Sequence, residues 1–395
     1  MPVCASGAGR TGGRSAIGLL ADRRPCKLEC HDGFAGEKGA IARFHGEGAN
    51  HPAGQMIDPN RKKHVLRRIY FFVALIVLAT AWSWQTMIHM PGHSFHGELP
   101  PADTALTALA ADLHAGVAHL AGEIGERNVR NRPQALGQAA DWITAQFRAA
   151  GYEVGRQTYP VSGQLCRNLD AENRGTAHPQ ELVIVGAHYD TVAGTAGAND
   201  NSSGVAAVLA LARRFHSRKT QRTLRFVAFV NEEPPYFQTN QMGSRIYARQ
   251  CRDRHEHVVA MLSLETIGYY RDEPGSQNYP TPFWLLYPST GNFIGFIGNF
   301  SSRELVRRLI ESFRRHESFP SEGAALPEPF PGVGFSDQWS FWQEGYPAVM
   351  VTDTAMYRYP YYHLPQDTIE QIDFDRMARV VRGLEKAIAE LAGVF

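Results

Sequence analysis

The stretch ELVIVGAHYD, residues 181–190, decides the fold of this 395-residue chain. It is short, apolar and rich in β-branched residues, which is typical of a strand buried on both faces. VAAVLALARRF (205–215) follows with helical periodicity, and TLRFVAFVN (223–231) and VVAMLSLETIGYY (258–270) are further short apolar runs. This alternation predicts an α/β fold in which a central mixed, twisted sheet carries helices on both faces.

The pattern extends in both directions from this centre. Helical periodicity covers residues 104–123 and 134–150, a buried strand is predicted at 346–354, and an amphipathic helix closes the chain at 374–391. The sequence contains no internal repeat and no second core-forming block set apart by a linker. We therefore predict one domain over residues 104–395.

Residues 69–88, IYFFVALIVLATAWSWQTMI, form an uncharged apolar segment. About 20 residues is the length that an α-helix needs to cross a hydrocarbon core of about 30 Å. Residues 61–68 before it are strongly basic, and no Lys or Arg follows before Arg127. The positive-inside rule then predicts a single-pass membrane protein with a cytoplasmic N-terminus and a periplasmic or extracellular catalytic domain.

The sequence on either side of this span is predicted to lie outside the folded domain. Residues 1–68 are predicted to be a disordered, basic cytoplasmic leader, because most of them are rich in Gly and Arg and lack an apolar period. Residues 89–103 contain Pro, Gly and His and are interpreted as a linker. An alternative for the span stays open: Ala-Thr-Ala at 79–81 resembles a signal-peptidase site, whose use would make residues 69–88 a cleaved signal.

Net charge and cysteine content limit the partners and cross-links of the chain. The formal net charge is +1, and the basic residues form no face interleaved with aromatic residues, so nucleic-acid binding has no support. Cys166 and Cys251 are the cysteines of the predicted domain, and we expect them to be unpaired, since small buried free cysteines are common. Neither feature determines the oligomeric state.

Residues of the types that bind metals stand at the ends of the predicted strands, where open α/β sheets bind ligands. The candidates are His188 and Asp190 in GAHYDT, Asp200 in GANDNSSG, Glu232 and Glu233 in NEEP, Glu265 in LSLET, and His363 in YHLPQDT. Two histidines with several carboxylates suit zinc, and no cysteine needs to take part.

Glu232 and Glu233 directly follow the apolar run FVAFV. Successive strand residues point to opposite faces of a sheet, so this pair can divide two roles at one site only if the chain leaves the sheet there. Pro234 and Pro235 are expected to cause that exit, since proline cannot continue the hydrogen-bond ladder.

The order of these blocks resembles a known family, the co-catalytic zinc exopeptidases, which include the bacterial leucyl and Streptomyces aminopeptidases and, more distantly, glutamate carboxypeptidase and glutaminyl cyclase. The resemblance covers residues 105–391. It rests on GAHYDT, GANDNSSG, NEEP and YHLPQDT, with SDQWSFW and the strand that contains Glu265, all in the family's order and approximate spacing. It implies a metallo-aminopeptidase that hydrolyses N-terminal residues of peptides with a free N-terminus, and the apolar segment at residues 69–88 would anchor this enzyme in the membrane.

The resemblance also implies a role for each residue. Five of them would hold two Zn²⁺ ions: His188 and Glu265 for one ion, Glu233 and His363 for the other, and Asp200 as the bridge. Asp190 would orient His188 by a hydrogen bond to its free ring nitrogen. Glu232 would be the general base for the water between the ions and would pass its proton to the leaving amine.

Two positions differ from the family pattern. Glu265 stands where many relatives have Asp, and its longer side chain is still expected to bind metal. Gln338 in SDQWSFW stands where relatives often have His, which changes a contact to the substrate or to a neighbouring side chain. Asp337 and Gln338 are accordingly candidates for substrate binding, with a loop-capping carboxylate as the alternative for Asp337.

Two other functions stay open within the same fold. A glutaminyl cyclase would use one zinc ion, and a non-catalytic ectodomain would bind none. The complete set of ligating side chains favours two ions and peptide hydrolysis. Metal content separates the three functions.

Overall fold

The structure, a computed structural model, describes residues 59–394. The predicted leader therefore lies outside the described residues except for positions 59–68. The chain divides into two units, Met1–Lys63 and His64–Phe395, and the sheet and its helices belong to the second unit.

Helices and strands alternate along the described chain. The α-helices are α1 (Pro59–Ser83), α2 (Thr104–Val117), α3 (Pro133–Ala149), α4 (Gly204–Phe215), α5 (Gly243–Asp253), α6 (Arg303–His316), α7 (Gln338–Trp342) and α8 (Phe374–Ala392). The strands are β1 (Val154–Val161), β2 (Gln164–Asn173), β3 (His178–His188), β4 (Arg222–Phe229), β5 (His257–Glu265), β6 (Ile294–Gly298), β7 (Ser321–Ala325) and β8 (Ala348–Thr352).

These strands form one sheet in the order β1-β2-β4-β3-β5-β8-β6-β7. The central strands β4, β3, β5 and β8 are parallel to one another. The sheet is mixed because β1 and β2 form an antiparallel hairpin that pairs with β4, and because β6 is antiparallel to β8. The hairpin and the β6–β7 pair thus extend a parallel centre on both sides.

Helices cover both faces of the sheet, as expected where central strands are apolar without alternation. On one face α2, α3, α4, α6 and α8 enclose the larger core, in which Leu211 and Phe313 are fully buried. On the other face α5 and α7 pack on a smaller core around Phe229 and Phe341. The predicted fold, a mixed sheet between helical layers, is confirmed.

The helix over Asn60–Ile88 is long and apolar enough to cross a membrane, by length and composition. Its most apolar window has a mean hydropathy of 1.8, and none of that window is buried against the protein. Phe71, Ile76 and Leu78 are accordingly exposed. A core helix would bury such side chains, so the exposure favours a membrane segment over a core helix.

Cys166 and Cys251 are free and buried, as expected. Cys166 lies on β2 and Cys251 on α5. Burial raises the pKa of both thiols, which disfavours the reactive thiolate form. Both cysteines therefore act as small core residues.

Candidate active site

Three neighbouring parallel strands bring predicted site residues together at their carboxyl ends. β3 ends at His188 and β5 ends at Glu265. The chain leaves β4 through Asn231, which has a φ of 59°, and then reaches Glu232 and Glu233. Because β4 and β5 lie on opposite sides of β3, this end of the sheet is a topological switch point, where open α/β sheets bind ligands.

Two loops complete the site. Asp200 lies in Ala198–Ser203, the segment that leads into α4, and is 2% exposed. His363 lies in the loop between β8 and α8, and its side chain is 30% exposed. The ring of Tyr362 stacks on the His363 imidazole at 3.9 Å between centroids. His363 therefore lies on the solvent-facing side of the site, and the residues at the strand ends lie on its buried side.

The first ligand group consists of His188, Asp200 and Glu265, which each offer one ligand atom within 4.8 Å of the others. His188 Nε2 lies 3.3 Å from Asp200 Oδ1 and 3.3 Å from Glu265 Oε2. Glu265 Oε2 also accepts hydrogen bonds from Ser336 Oγ at 2.6 Å and from Asn201 Nδ2 at 3.3 Å. These two donors fix the position of the longer carboxylate side chain.

The second ligand group consists of Asp200, Glu233 and His363, within the same spacing. His363 Nε2 lies 3.0 Å from Asp200 Oδ2 and 3.3 Å from Glu233 Oε2. Glu233 Oε1 accepts a hydrogen bond from the backbone N–H of Val192 at 3.2 Å. Asp200 therefore belongs to both groups and offers a different oxygen to each.

Glu232 belongs to neither of these two groups. Its Oε2 lies 3.9 Å from His188 Nε2, and its side chain is 8% exposed. With His188 and Glu233 it forms a third cluster of metal-ligand type. Glu232 is thus a buried carboxylate that stands beside both ligand groups.

Asp190 supports the glutamate pair. Its Oδ1 accepts a hydrogen bond from the backbone N–H of Glu232 at 3.1 Å, and its Oδ2 accepts one from Glu233 at 3.2 Å. His188 Nδ1 lies 3.2 Å from the Asp190 backbone carbonyl and 3.6 Å from its carboxylate. The resemblance implies a contact between this residue and the imidazole, and the structure adds that the carboxylate holds the backbone of the glutamate pair.

Two buried charged residues that the sequence did not single out support the loop of Asp200. The Asp367 carboxylate accepts hydrogen bonds from the backbone N–H groups of Asn199 at 2.8 Å and of Asp200 at 3.1 Å. Arg127 is fully buried and donates to the Ala196 carbonyl at 2.7 Å. Asp367 lies inside the block YHLPQDT, which was a usable signal, whereas nothing in the sequence near Arg127 indicates its burial.

Asp337 and Gln338, the predicted substrate-binding pair, are fully buried where α7 begins. Gln338 Nε2 donates to the Val333 carbonyl at 3.0 Å, and the structure does not bring Gln338 into the ligand groups. Burial, with a smaller contribution from the nearby Glu265 carboxylate, raises the pKa of Asp337 to about 7. Substrate binding by this pair stays a prediction.

Burial shifts the pKa values of the acidic groups in the site. Burial raises the pKa of Glu233 to about 7, and the Asp200 carboxylate also raises it. Burial raises the pKa of Glu232 and of Glu265 as well. Burial alone would lower the pKa of His363, but the carboxylates of Asp200 and Glu233 beside its Nε2 raise it to about 10. Bound cations would balance the negative charge of these buried carboxylates.

The donor set fits a metal ion. His188 Nε2 and Asp200 Oδ2 are buried and make no well-formed hydrogen bond among the described residues. Buried polar atoms need a partner, and both residues belong to groups whose ligand atoms lie within 4.8 Å of one another. Imidazole with carboxylate oxygen is a zinc donor set, and the described site contains no thiolate.

An apolar pocket opens beside the first ligand group. Glu265 and Tyr362 are part of its wall, so the pocket and the ligand groups are adjacent. The aromatic side chains that line it are Tyr279, Phe283, Tyr287, Phe293, Phe330, Phe335 and Tyr357. Such a wall suits a large apolar group of a substrate.

The sheet carries a buried centre of imidazole and carboxylate groups at its switch point, and this arrangement fits a metal-dependent enzyme. Residues 168–388 match the model of peptidase family M28, and this region contains every predicted site residue. The chain is 38% identical over 259 residues to YfbL of Escherichia coli (strain K12), with 63% of this chain and 78% of that protein covered. The chain belongs to peptidase family M28, which confirms the family predicted from the ordered motifs.

Two further similar proteins are named as aminopeptidases. The chain is 26% identical over 273 residues to probable leucine aminopeptidase 1 of Trichophyton verrucosum, covering 65% of this chain and 67% of that protein. The solved zinc aminopeptidase BSAP of Bacillus subtilis has a TM-score of 0.59 at 15% identity and covers 75% of this chain and 96% of its own. Together the family and these relatives support a zinc-dependent peptidase, the enzyme class that the sequence predicts.

The same fold is found in a second activity class. The solved glutaminyl cyclase of Fimbriiglobus ruber has a TM-score of 0.54 at 21% identity and covers 74% of this chain and 97% of its own. At such identities the structural similarity shows the fold alone. The site residues, and not the fold, must therefore separate hydrolysis from cyclisation.

Proposed function

We propose that the protein is a membrane-anchored aminopeptidase that holds two zinc ions and removes N-terminal residues from peptides with a free N-terminus. The observation that carries this proposal is the carboxylate of Asp200, which is common to both ligand groups. His188 and Glu265 complete one group, and Glu233 and His363 complete the other. A shared carboxylate is expected of paired ions, whereas two independent sites would have no common ligand.

Bound zinc ions supply Lewis acidity, which polarises a scissile carbonyl and lowers the pKa of water. The side chains bind, orient and move protons. Glu232 lies outside both ligand groups, so its carboxylate is free to accept the proton of the attacking water and to return it to the leaving amine. Asp190 fixes the base, because its carboxylate holds the Glu232 backbone N–H.

The apolar pocket beside Glu265 is assigned to the side chain of the N-terminal residue of the substrate. Its wall is formed largely by aromatic rings, and Tyr362 continues that wall up to the ring of His363. A large apolar side chain removes this surface from water, whereas an acidic one would lose hydration and face the carboxylates of Glu265 and Glu322, which also line the pocket. Peptides with a large apolar N-terminal residue are therefore the proposed substrates.

Metal removal is the first test of this function. The purified protein should contain close to two zinc ions, hydrolyse leucyl and phenylalanyl anilides faster than aspartyl anilide, and lose this activity with a chelator. Elemental analysis and an anilide panel with and without chelator measure the three quantities. Fully folded protein with less than one zinc ion contradicts the proposal. One ion with cyclisation of an N-terminal glutamine identifies the glutaminyl cyclase instead.

The anchor is tested separately. We propose that residues 69–88 span the membrane with the N-terminus in the cytoplasm, because residues 61–68 are basic and the following residues are apolar and exposed. A C-terminal reporter should be active only outside the cytoplasm, and the protein should stay in the membrane during carbonate extraction. Release by carbonate indicates a cleaved signal, and a reporter active in the cytoplasm contradicts export.

A further inference from the structure

The segment that leaves the proposed span is held against one edge of the sheet. Arg307 on α6 donates hydrogen bonds to the backbone carbonyls of Gln85 at 3.0 Å and of His89 at 2.7 Å. Met90 is 5% exposed and packs on Gly323 of β7 so closely that a Cβ added to Gly323 would lie 2.9 Å from the Met90 Cγ. The chain is therefore fixed to α6 and to the edge strand β7 directly after Ile88, the last residue of the helix.

An exposed apolar loop is tied to the same strand residue. Tyr287 Oη donates a hydrogen bond to the Gly323 carbonyl at 3.0 Å. Three consecutive residues just before Tyr287 expose large apolar side chains: Trp284 at 61%, Leu285 at 64% and Leu286 at 38%. Leu165 is also exposed, but it stands alone in the β1–β2 hairpin at the opposite edge of the sheet, and single exposed apolar residues are ordinary.

Distance places this loop within reach of a bilayer surface. Trp284 is three residues from Tyr287, which is a backbone distance of at most about 10 Å. The headgroup region on one side of a bilayer is about 5–8 Å thick, and interfacial segments bury their apolar face by about 5–10 Å. Gly323 is next to Met90, two residues beyond the span, and its carbonyl accepts the hydrogen bond from the Tyr287 hydroxyl, so the loop lies close to the point where the chain leaves the membrane.

We propose that Trp284, Leu285 and Leu286, here named the exit patch, insert into the outer interface of the lipid bilayer and form a second membrane contact beside the span. Tryptophan is favoured at that interface because its ring is apolar and its N–H is polar, and the leucines add apolar area. The contact rests on the proposed anchor, which brings the patch to the bilayer.

The exit patch has a consequence for the pocket. Phe283 and Tyr287 flank the patch on either side and line the apolar pocket. Lipid contact would therefore hold one wall of the pocket in place from outside. The pocket thereby opens close to the membrane surface.

Tryptophan quenching tests the exit patch in the full-length protein. The chain, which has six tryptophans, is placed in bilayer discs of phosphatidylcholine with either ordinary or brominated acyl chains, and bromine quenches the tryptophans that touch lipid. The difference in emission between the two kinds of disc measures this quenching. It should be smaller for Trp284→Phe, which removes a lipid-facing ring. Trp142→Phe is the matched control, because Trp142 stacks on His119 at 4.7 Å, away from the β7 edge, and the quenched emission should stay at the parental value.

A double variant, Trp82→Phe with Trp84→Phe, reports on the anchor alone. If it lowers the quenched emission and Trp284→Phe does not, the anchor stands and the exit patch is overturned. If none of the variants changes the quenched emission, the anchor itself is contradicted, and the patch with it. A thermal unfolding transition of Trp284→Phe at the parental temperature shows that the variant is folded.

Discussion

Replacement of Glu232 by Gln is expected to lower turnover by about 10²- to 10⁴-fold, the usual contribution of general acid–base catalysis. The amide keeps the shape of the side chain but cannot take a proton from water. Because Glu232 belongs to neither ligand group that shares Asp200, the zinc content should stay near the parental value. The measurements are kcat on the preferred anilide and elemental analysis of the same preparation.

Glu233→Gln is the matched variant, one residue further along the chain. Glu233 Oε1 accepts from the Val192 N–H, and Oε2 lies 3.3 Å from His363 Nε2. If the amide keeps its oxygen on Val192, its NH₂ group replaces the oxygen that faces the second ligand group. One zinc ion should therefore bind more weakly, and activity should partly return when zinc is added in excess.

The contrast between the two glutamates decides their roles. If zinc content falls for Glu232→Gln and holds for Glu233→Gln, the roles are reversed. If neither variant changes turnover, catalysis takes place elsewhere in the protein. Excess zinc separates the defects again, because it should not restore Glu232→Gln, which lacks the base and not the metal.

The central half of the sheet was predictable because its strands are continuous apolar runs. β3, β4, β5 and β8 are buried on both faces, so hydrophobicity alone identifies them. β6 (IGFIG) and β7 (SEGAA) are each five residues long. Glycines interrupt the apolar residues of β6, and β7 has no large apolar side chain, so no pattern separates them from loops. These strands depend on pairing with β8 and with each other, which is a tertiary effect.

The site was predictable where its residues follow those apolar runs. His188 and Glu265 are the last residues of their strands, so their position follows from the strands themselves. The exit after β4 was expected at Pro234 and instead begins at Asn231, whose positive φ turns the chain before the glutamate pair. A single residue with left-handed φ leaves no periodic signal, which is why proline was the more visible marker.

The residues that hold the site together were harder to predict because they act through the backbone. Asp190 and Asp367 each accept two backbone N–H groups, from the glutamate pair and from the Asp200 loop respectively. Backbone donors are the same at every position, so the sequence cannot indicate which of them a carboxylate will meet. Only the fold identifies these contacts.

Asp367→Asn is expected to weaken the binding of both zinc ions by about 10- to 100-fold, the usual effect of losing a partner behind a metal ligand. The Asp367 carboxylate receives the N–H groups of Asn199 and Asp200 together with the Tyr359 hydroxyl, at 2.8 Å from Oδ1. An amide has one oxygen, so its NH₂ group would face one of these donors. The loop that carries Asp200 should then shift.

This effect is measured by titrating zinc into the metal-depleted protein and recording activity. The titration also distinguishes a ligand shared by both zinc ions from a ligand of one ion. Asp367→Asn should weaken both binding steps, because Asp200 offers one oxygen to each group, whereas Glu233→Gln should weaken a single step. Asp141→Asn is the control for a lost carboxylate, since Asp141 pairs with Arg167 at the surface, where its side chain is 69% exposed. If Asp367→Asn weakens only one binding step, the two zinc ions do not share Asp200 as a ligand. If it binds zinc as the parent does, the carboxylate of Asp367 has no part in placing the ligand.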